Sequence, residues 1–344
     1  MIETHENWIS SAVLALILIA AGFGCKSGPS GKPQGTAGGS SGSAVDAVQF
    51  QFGWELPTRL TAKSTRRVRK TGGKQKTYRS SYEMSAAKQD GDVRVQIEPN
   101  FEGVSGSDPA KGIASVLGAA SSVAMPSMLV SADGTFKGVE GLKGTRKAYL
   151  DAAKQAAGGS LPKQIGAVLN RYLTEKFLKS RARQHWEKLV GLWTGEQDFE
   201  VGKMYESTTK DRFQFPLVGF REVEMELTFG VEERVSCSDG STETGCVRAA
   251  IESRPDVRKM KELMQKWVDE FSKVQAKRQG MAKPPKITVN EVYVKTDVSI
   301  LTNPSTLRPH RFEEKRTVRL KLKNPNGDVR SIKSVDKRTT TFSE

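Results

Sequence analysis

The stretch Arg221–Cys237 constrains the fold of this chain more than any other, because its apolar and polar residues alternate with period two. Val223, Met225, Leu227, Phe229 and Val231 fall on one side, Glu224 and Glu226 on the other. Successive side chains point to opposite faces only in extended chain, so the segment predicts a half-buried strand of an antiparallel sheet. The signature recurs. "VQFQFGWEL" sets Phe50, Phe52 and Trp54 on one face. Leu60 to Lys70, a "TGGK" turn, Lys74 to Ala86, a "QDGD" turn and "VRVQIE" follow, which together predict a four-strand meander. "SMLVSADGTFKGVEG" predicts a hairpin turning at Asp133-Gly134. "FEVGKMYES" and "DRFQFPL" read as further strands, and "ITVNEVYVKTDVSIL" to "VRSIKSVDKRTTTF" as a closing antiparallel meander.

Three segments carry helical spacing instead. About 108–124, Asp108 is a candidate N-cap with Pro109 in the first turn. Over 144–192, Ile165, Val168, Leu169, Tyr172, Phe177, Trp186 and Leu189 are core candidates. Over 255–280, Pro255 opens a helix, Val257, Met260, Met264, Trp267, Phe271 and Val274 recur at three and four, and Gly280 closes it. The fold class expected is α+β: a mainly antiparallel curved sheet, a half-barrel being one such form, with helices packed on one side, occupying 47–344.

The start of the chain is of another kind. Its uninterrupted apolar run from Ala12 to Ala21 is ten residues, whereas crossing a bilayer core as a helix takes roughly 20. With Gly22-Phe23-Gly24 before Cys25, residues 1–24 resemble the signal peptide of bacterial lipoprotein precursors, in which the cysteine becomes the first mature residue and carries the acyl chains. The alternatives are a non-lipidated signal or a buried helix with an incidental cysteine. Residues 25–46 are dominated by Gly, Ser and Pro and read as a tether. In the lipoproteins it resembles, Asp after the cysteine favours inner-membrane retention; Lys26 stands here, which points to the outer membrane, facing periplasm or cell surface.

Acylation of Cys25 leaves one pair, Cys237 and Cys246, flanking a polar loop between strand-like segments. That placement predicts a disulfide at a hairpin loop in an oxidising compartment, the alternative being two buried thiols. No metal is expected, because His5, His185 and His310 show no ligand spacing. His185 beside Trp186 and Glu187 reads as a structural or surface histidine, with no nucleophile near it in sequence.

Net charge is +15, and cleavage before Cys25 would remove Glu3 and Glu6 and no base, giving about +17. Such an excess favours anionic partners. Between Leu56 and Tyr82 the chain holds nine bases and no acid. Arg66, Arg67, Arg69 and Lys70 are the anion-binding candidates, against the plainer reading of a solvated sheet face. Alternation sets Arg67 and Arg69 on one face and Arg66 and Lys70 on the other, leaving the hairpin tip as their shared contact. Outside a cytoplasm the partners of this chemistry are anionic lipid, lipopolysaccharide or wall polymer; no nucleic-acid module is present, so no specific nucleic-acid partner is expected.

No phosphate loop, H-E-x-x-H or G-x-S-x-G elbow occurs. Glu232-Glu233 and Glu313-Glu314 are adjacent along strands, so their carboxylates should diverge rather than act as an acid and base. No catalytic residue and no cofactor is therefore expected. Ser131, Gly134, Val139 and Gly141 match an S-x-x-G-x-x-x-x-V-x-G segment, and Gly202 with Tyr205 a G-x-x-[WY]. On these motifs the chain resembles uncharacterised exported bacterial lipoproteins. The resemblance implies a curved sheet with helices and no known activity. The function expected is a noncatalytic, membrane-anchored envelope lipoprotein binding a hydrophobic or anionic envelope molecule. The alternatives are a structural or interaction lipoprotein without a ligand cavity, and a hydrolase whose motif escapes detection.

Overall fold

The structure is a computed structural model that describes residues 46–100, 125–156, 159–161, 166, 169–170, 173–195, 197–215, 219–237 and 245–344. Thirteen strands follow in chain order, two of them outside the main sheet: β1 (Ala47–Gln49), β2 (Thr58–Lys70), β3 (Lys76–Gln89), β4 (Asp92–Asn100), β5 (Ser127–Val130), β6 (Phe136–Glu140), β7 (Asp198–Glu200), β8 (Met204–Phe215), β9 (Gly219–Val235), β10 (Cys246–Pro255), β11 (Thr288–Thr302), β12 (Pro309–Lys323) and β13 (Val329–Ser343). The helices are α1 (Leu142–Ala156), α2 (Glu175–Trp186), which runs on as a π-helical turn Glu187–Gly191, and α3 (Val257–Arg278). Cys25, the expected signal and tether up to Val45, the helix expected about 108–124, and the core candidates Ile165, Val168 and Tyr172 lie outside the described residues.

Eleven strands form one open antiparallel sheet in the order β6-β5-β4-β3-β2-β13-β12-β11-β10-β9-β8. Each neighbour pair but one is consecutive in sequence, as hairpin patterning demands. The exception is β2 with β13, where the first and last strands of the sheet join over Thr61–Lys70 and Ser334–Ser343. That seam welds the two meanders into a single sheet.

The opening segment departs from expectation. Phe50, Phe52 and Trp54 are buried as their alternation required, yet they do not start the meander. β1 pairs with β7 in a separate two-stranded sheet, and Gln51 and Gly53 donate to the carbonyls of Pro304 and Thr306 at 2.8 and 3.1 Å. Alternation reports burial on one face and is blind to the partner that takes the backbone hydrogen bonds. "DRFQFPL" likewise forms no strand of its own: its first residues belong to β8.

α3 follows its pattern with two corrections. Pro255 closes β10 opposite Met225, and Asp256 is the N-cap, accepting from the Lys259 amide at 2.7 Å. Val257 is exposed in the first turn, so the buried stripe begins at Met260. Met260, Met264 and Trp267 share an apolar cluster with Val223 and Met225 of β9, Val292 of β11 and Leu320 of β12. A larger cluster gathers Phe50, Phe52, Trp54, Leu60, Tyr82, Trp186, Leu189, Trp193, Phe199, Phe229 and Phe312.

Here the quoted motifs find their physical use. Gly134 sits at φ +86°, where a Cβ would lie 2.9 Å from Phe52, and its carbonyl accepts from Trp186 Nε1 at 2.7 Å. Asp133 accepts from the Thr135 amide at 3.1 Å and closes the β5–β6 turn. Gly202 turns at φ +84°, and the Tyr205 hydroxyl accepts from the Glu200 amide at 3.2 Å while its ring meets Phe199 edge-on. Both motifs are packing devices of the aromatic cluster.

Candidate functional site: a charged belt on the inner face

Leu60, Ala62, Tyr82, Phe312, Ile300 and Phe342 mark the inner face of the sheet, buried at alternate positions. Continuing the same alternation toward the second cluster leads first through charge. On β2 the next positions after Ala62 are Ser64 and Arg66; on β13, from Phe342 backward, Thr340, Arg338 and Asp336; on β12, from Phe312 forward, Glu314 and Arg316. The register lays these side by side: Arg66 opposite Arg338, Arg338 opposite Glu314, and Asp336 opposite Arg316. Beyond them Leu320 and Val292 resume the apolar surface. A belt of charge thus separates two apolar clusters on one face.

Helices complete it. Arg181, His185 and Lys188 come from α2 and its π-helical continuation. α2 is fixed at its start by the Thr174 hydroxyl, which accepts from the Phe177 amide at 3.2 Å. The Lys188 ammonium pairs with Glu314. The Arg181 guanidinium donates to the Tyr149 hydroxyl of α1 at 3.0 Å. Arg66 clasps Asp336, with Nη2 2.5 Å from Oδ2 and Nε 2.9 Å from Oδ1. Arg338 Nε donates to Ser64 Oγ at 3.3 Å. The side chains of these two ion pairs retain 15–25% exposure, so the belt is recessed rather than sealed.

The electrostatics are lopsided. Burial pushes the Glu314 carboxyl upward, but Lys188, with Arg338 and Arg316, outweighs it and holds the group at about 2. Burial lowers the Arg181 guanidinium, aided by Arg338 and Arg66, with Tyr149 opposing. Burial first, then Arg338, Lys188 and Arg181, drive His185 down to about 3, so its imidazole is neutral at pH 7. His185 is 8% exposed and its Nε2 has no hydrogen-bond partner among the described residues. Of the two readings the sequence left, a structural or a surface histidine, the burial of His185 rules out the surface one.

The sequence-derived candidates fall out as follows. Arg66 faces inward and is held by Asp336; Lys70, half-buried, shares that side, where burial and Lys76 lower its ammonium. Arg67 and Arg69 are exposed on the outer face, opposite Lys337 and Val335. Alternation therefore divides the four bases between two environments, and Arg66 is committed to a carboxylate. Arg181, Lys188, Arg316, Arg338 and Asp336 were missed. A usable signal existed for two partners of the belt: Glu314 and Arg316 stand at the same parity as Phe312, Leu320 and Leu322, charge inside an apolar stripe.

Cys237 and Cys246 form the expected disulfide, with Cα atoms 5.0 Å apart and both residues fully buried. The fold brings His310 to them, the three ligand atoms lying within 4.8 Å of one another. Metal coordination by cysteine requires thiolate, so the oxidised pair with one imidazole is not a metal site. Glu313 and Glu314 diverge as expected, Glu313 to Arg311 and Lys337 outside and Glu314 to Lys188 inside.

The outer face has its own row. Arg67 of β2, Lys337 of β13 and Lys315 of β12 are directly opposite one another, all exposed, with Lys337 reaching Glu313 at 3.2 Å. Like charges directly opposed across strands are destabilising. No helix of the described residues is long and apolar enough to cross a membrane. No protein-family profile, curated protein or solved structure matches the chain.

Proposed function

We propose that this chain is a noncatalytic bacterial envelope lipoprotein, tethered through acylated Cys25, whose outer basic sheet face lies against an anionic membrane surface. Its helices pack on the inner face of a curved sheet, and the space between helices and sheet takes a hydrophobic or anionic envelope molecule. The observation that carries the reading is the exposed cationic row Arg67, Lys337 and Lys315 across three strands. A sheet that sets three bases in register accepts a local repulsion that an anionic lipid surface would convert to attraction. The ten-residue apolar run before Cys25 and the Gly-, Ser- and Pro-rich stretch after it support the tether.

The test uses the Cys25→Ala chain, so that no acyl anchor contributes, and compares it with the same chain carrying Arg67→Gln, Lys315→Gln and Lys337→Gln. Binding to acidic vesicles should fall in the triple variant and weaken with salt in both, since exposed charges are screened beyond about 8 Å at physiological ionic strength. Equal binding by the two chains, or equal binding to neutral vesicles, would remove the outer face from the reading. Palmitate labelling of the wild type and its loss in Cys25→Ala tests the tether; an unlabelled wild type overturns it.

A further inference from the structure

The two ends of the large sheet differ in how their charges are met. At the end where Asp46 lies, bases are matched: Arg234 meets Asp46 at 2.7 Å, Lys137 meets Asp92 at 2.5 Å and Arg308 meets Glu344 at 2.6 Å. At the other end, three neighbouring connections carry bases with no acid to answer them. The β2–β3 turn holds Lys74 and Lys76, the β12–β13 hairpin Lys323 and Lys333, and the α3–β11 linker Lys283 and Lys286, all exposed and without a carboxylate partner among the described residues. The carboxylates nearest in sequence are already engaged: Asp328 accepts from the Asn324 side-chain amide at 3.1 Å within its own turn, and Glu291 pairs with Lys321. The connections are also fixed side by side. The Thr71 amide donates to the Lys333 carbonyl at 2.9 Å, and the Lys333 amide to the Thr71 hydroxyl at 2.6 Å. Lys333 stands opposite Arg319, and further along β12 Lys323 stands opposite Thr288. α3 clamps the linker, Gln265 donating to the Ile287 carbonyl at 2.8 Å and accepting from the Val289 amide at 2.7 Å. From Thr71 across β13 and β12 to Thr288, this stepped path of bases is about 20 Å long.

We propose that this strand-tip end of the sheet binds a linear polyanion such as an anionic wall polymer, laid obliquely across the β2–β3, β12–β13 and α3–β11 connections. Exposed ammonium groups act as point charges on flexible stems, so they track a repeating anion without demanding one geometry. Each one that meets the polymer releases a condensed counterion, and the gain adds along the path. Shape favours a polymer over a membrane here. The tip bases form a stepped line, whereas a membrane is a plane, which the broad outer face with Arg67, Lys337 and Lys315 suits better. Position agrees with shape. Asp46, which residues 1–45 precede, lies at the far end of strands of 15 residues, about 50 Å away. The N-terminal segment and the tip end can therefore hold different partners at once. The inference goes beyond the outer-face reading and stands without it.

The experiment titrates long-chain polyphosphate and tripolyphosphate into the full chain, held in uncharged detergent, by calorimetry at several salt concentrations. Acidic-vesicle binding is measured in parallel on the Cys25→Ala chain. Long-chain polyphosphate should bind more tightly per phosphate than tripolyphosphate, which is too short to span the path, and its affinity should fall steeply with salt. This length dependence is read on the wild type and needs no variant. Lys74→Gln, Lys76→Gln, Lys286→Gln and Lys323→Gln combined should weaken long-chain binding roughly tenfold or more and make its salt dependence shallower. Lys→Arg at the same four positions, which keeps every charge, should retain the wild-type affinity. The outer-face variant with Arg67→Gln, Lys315→Gln and Lys337→Gln should keep its polyphosphate affinity within about twofold, whatever its vesicle result, because the sites are separate. No long-chain binding by wild type, equal affinity per phosphate for the short chain, or equal binding by wild type and the four-Gln variant overturns the proposal. So does a four-Gln variant that loses vesicle binding while keeping polyphosphate, which would make a membrane the occupant of this end.

Discussion

Acidification should unfold this protein through one histidine before the carboxylates matter. His185 falls from 6.5 to about 3 on folding, first because burial penalises its charged form and then because Arg338, Lys188 and Arg181 surround it. Between those two values the unfolded chain holds a proton that the folded one does not, so lowering the pH through this window favours unfolding. From pH 8 to pH 5 the loss works out at about 2 kcal/mol, approaching about 4 to 5 kcal/mol near pH 3. Glu314, held at about 2 against an ordinary 4.5, acts in the same direction: its stabilising charge is present above the unfolded value and is lost as pH falls through the folded one. It contributes only a few tenths of a kcal/mol or less above about pH 5, so the two groups separate. The assay is urea unfolding, followed by tryptophan fluorescence, at a series of pH values. Wild type should lose about 2 kcal/mol between pH 8 and 5. His185→Leu, which removes a buried nitrogen with no partner among the described residues and keeps a side chain of similar bulk beside Phe312, should flatten that slope at little cost near pH 8. An unchanged slope in the variant would refute the reasoning.

Reducing the Cys237–Cys246 bond, or replacing both residues by Ser, should lower stability by roughly 2 to 3 kcal/mol, the chain-entropy value for a loop this short; non-reducing peptide mapping should recover the linked pair. Gly134→Ala should cost roughly 2 to 3 kcal/mol in the same assay, because its Cβ would stand 2.9 Å from Phe52 at a φ of +86°. Asp336→Asn should cost about 2 to 3 kcal/mol, somewhat below the range for a sealed ion pair because its side chain keeps 25% exposure.

What the sequence determined by itself was everything that depends on local periodicity. Alternation from Val223 to Val231 specified β9 and its buried side, and spacing at three and four placed Met260, Met264 and Trp267 inside α3. Turn chemistry at Asp133-Gly134 located the β5–β6 hairpin, and the placement of the two cysteines around a polar loop favoured the bond over two free thiols, which the fold then decided. Adjacent carboxylates at 313 and 314 had to part company. These follow from where a Cβ points relative to its neighbours, which the chain encodes within a few residues. Pairing over long range is not so encoded. Nothing in residues 61–70 says that their partner is the last strand, and nothing in "VQFQF" says that its amides answer to a loop near residue 305. The belt is a product of that seam. Arg66 lies 270 residues from Asp336, and Lys188 lies 126 from Glu314. As isolated letters these were a basic hairpin, a helix base and a glutamate pair. Only when β2 closes on β13 and α2 packs near β12 do they share one recess, where proximity and partial burial turn ordinary surface charges into a strong local field.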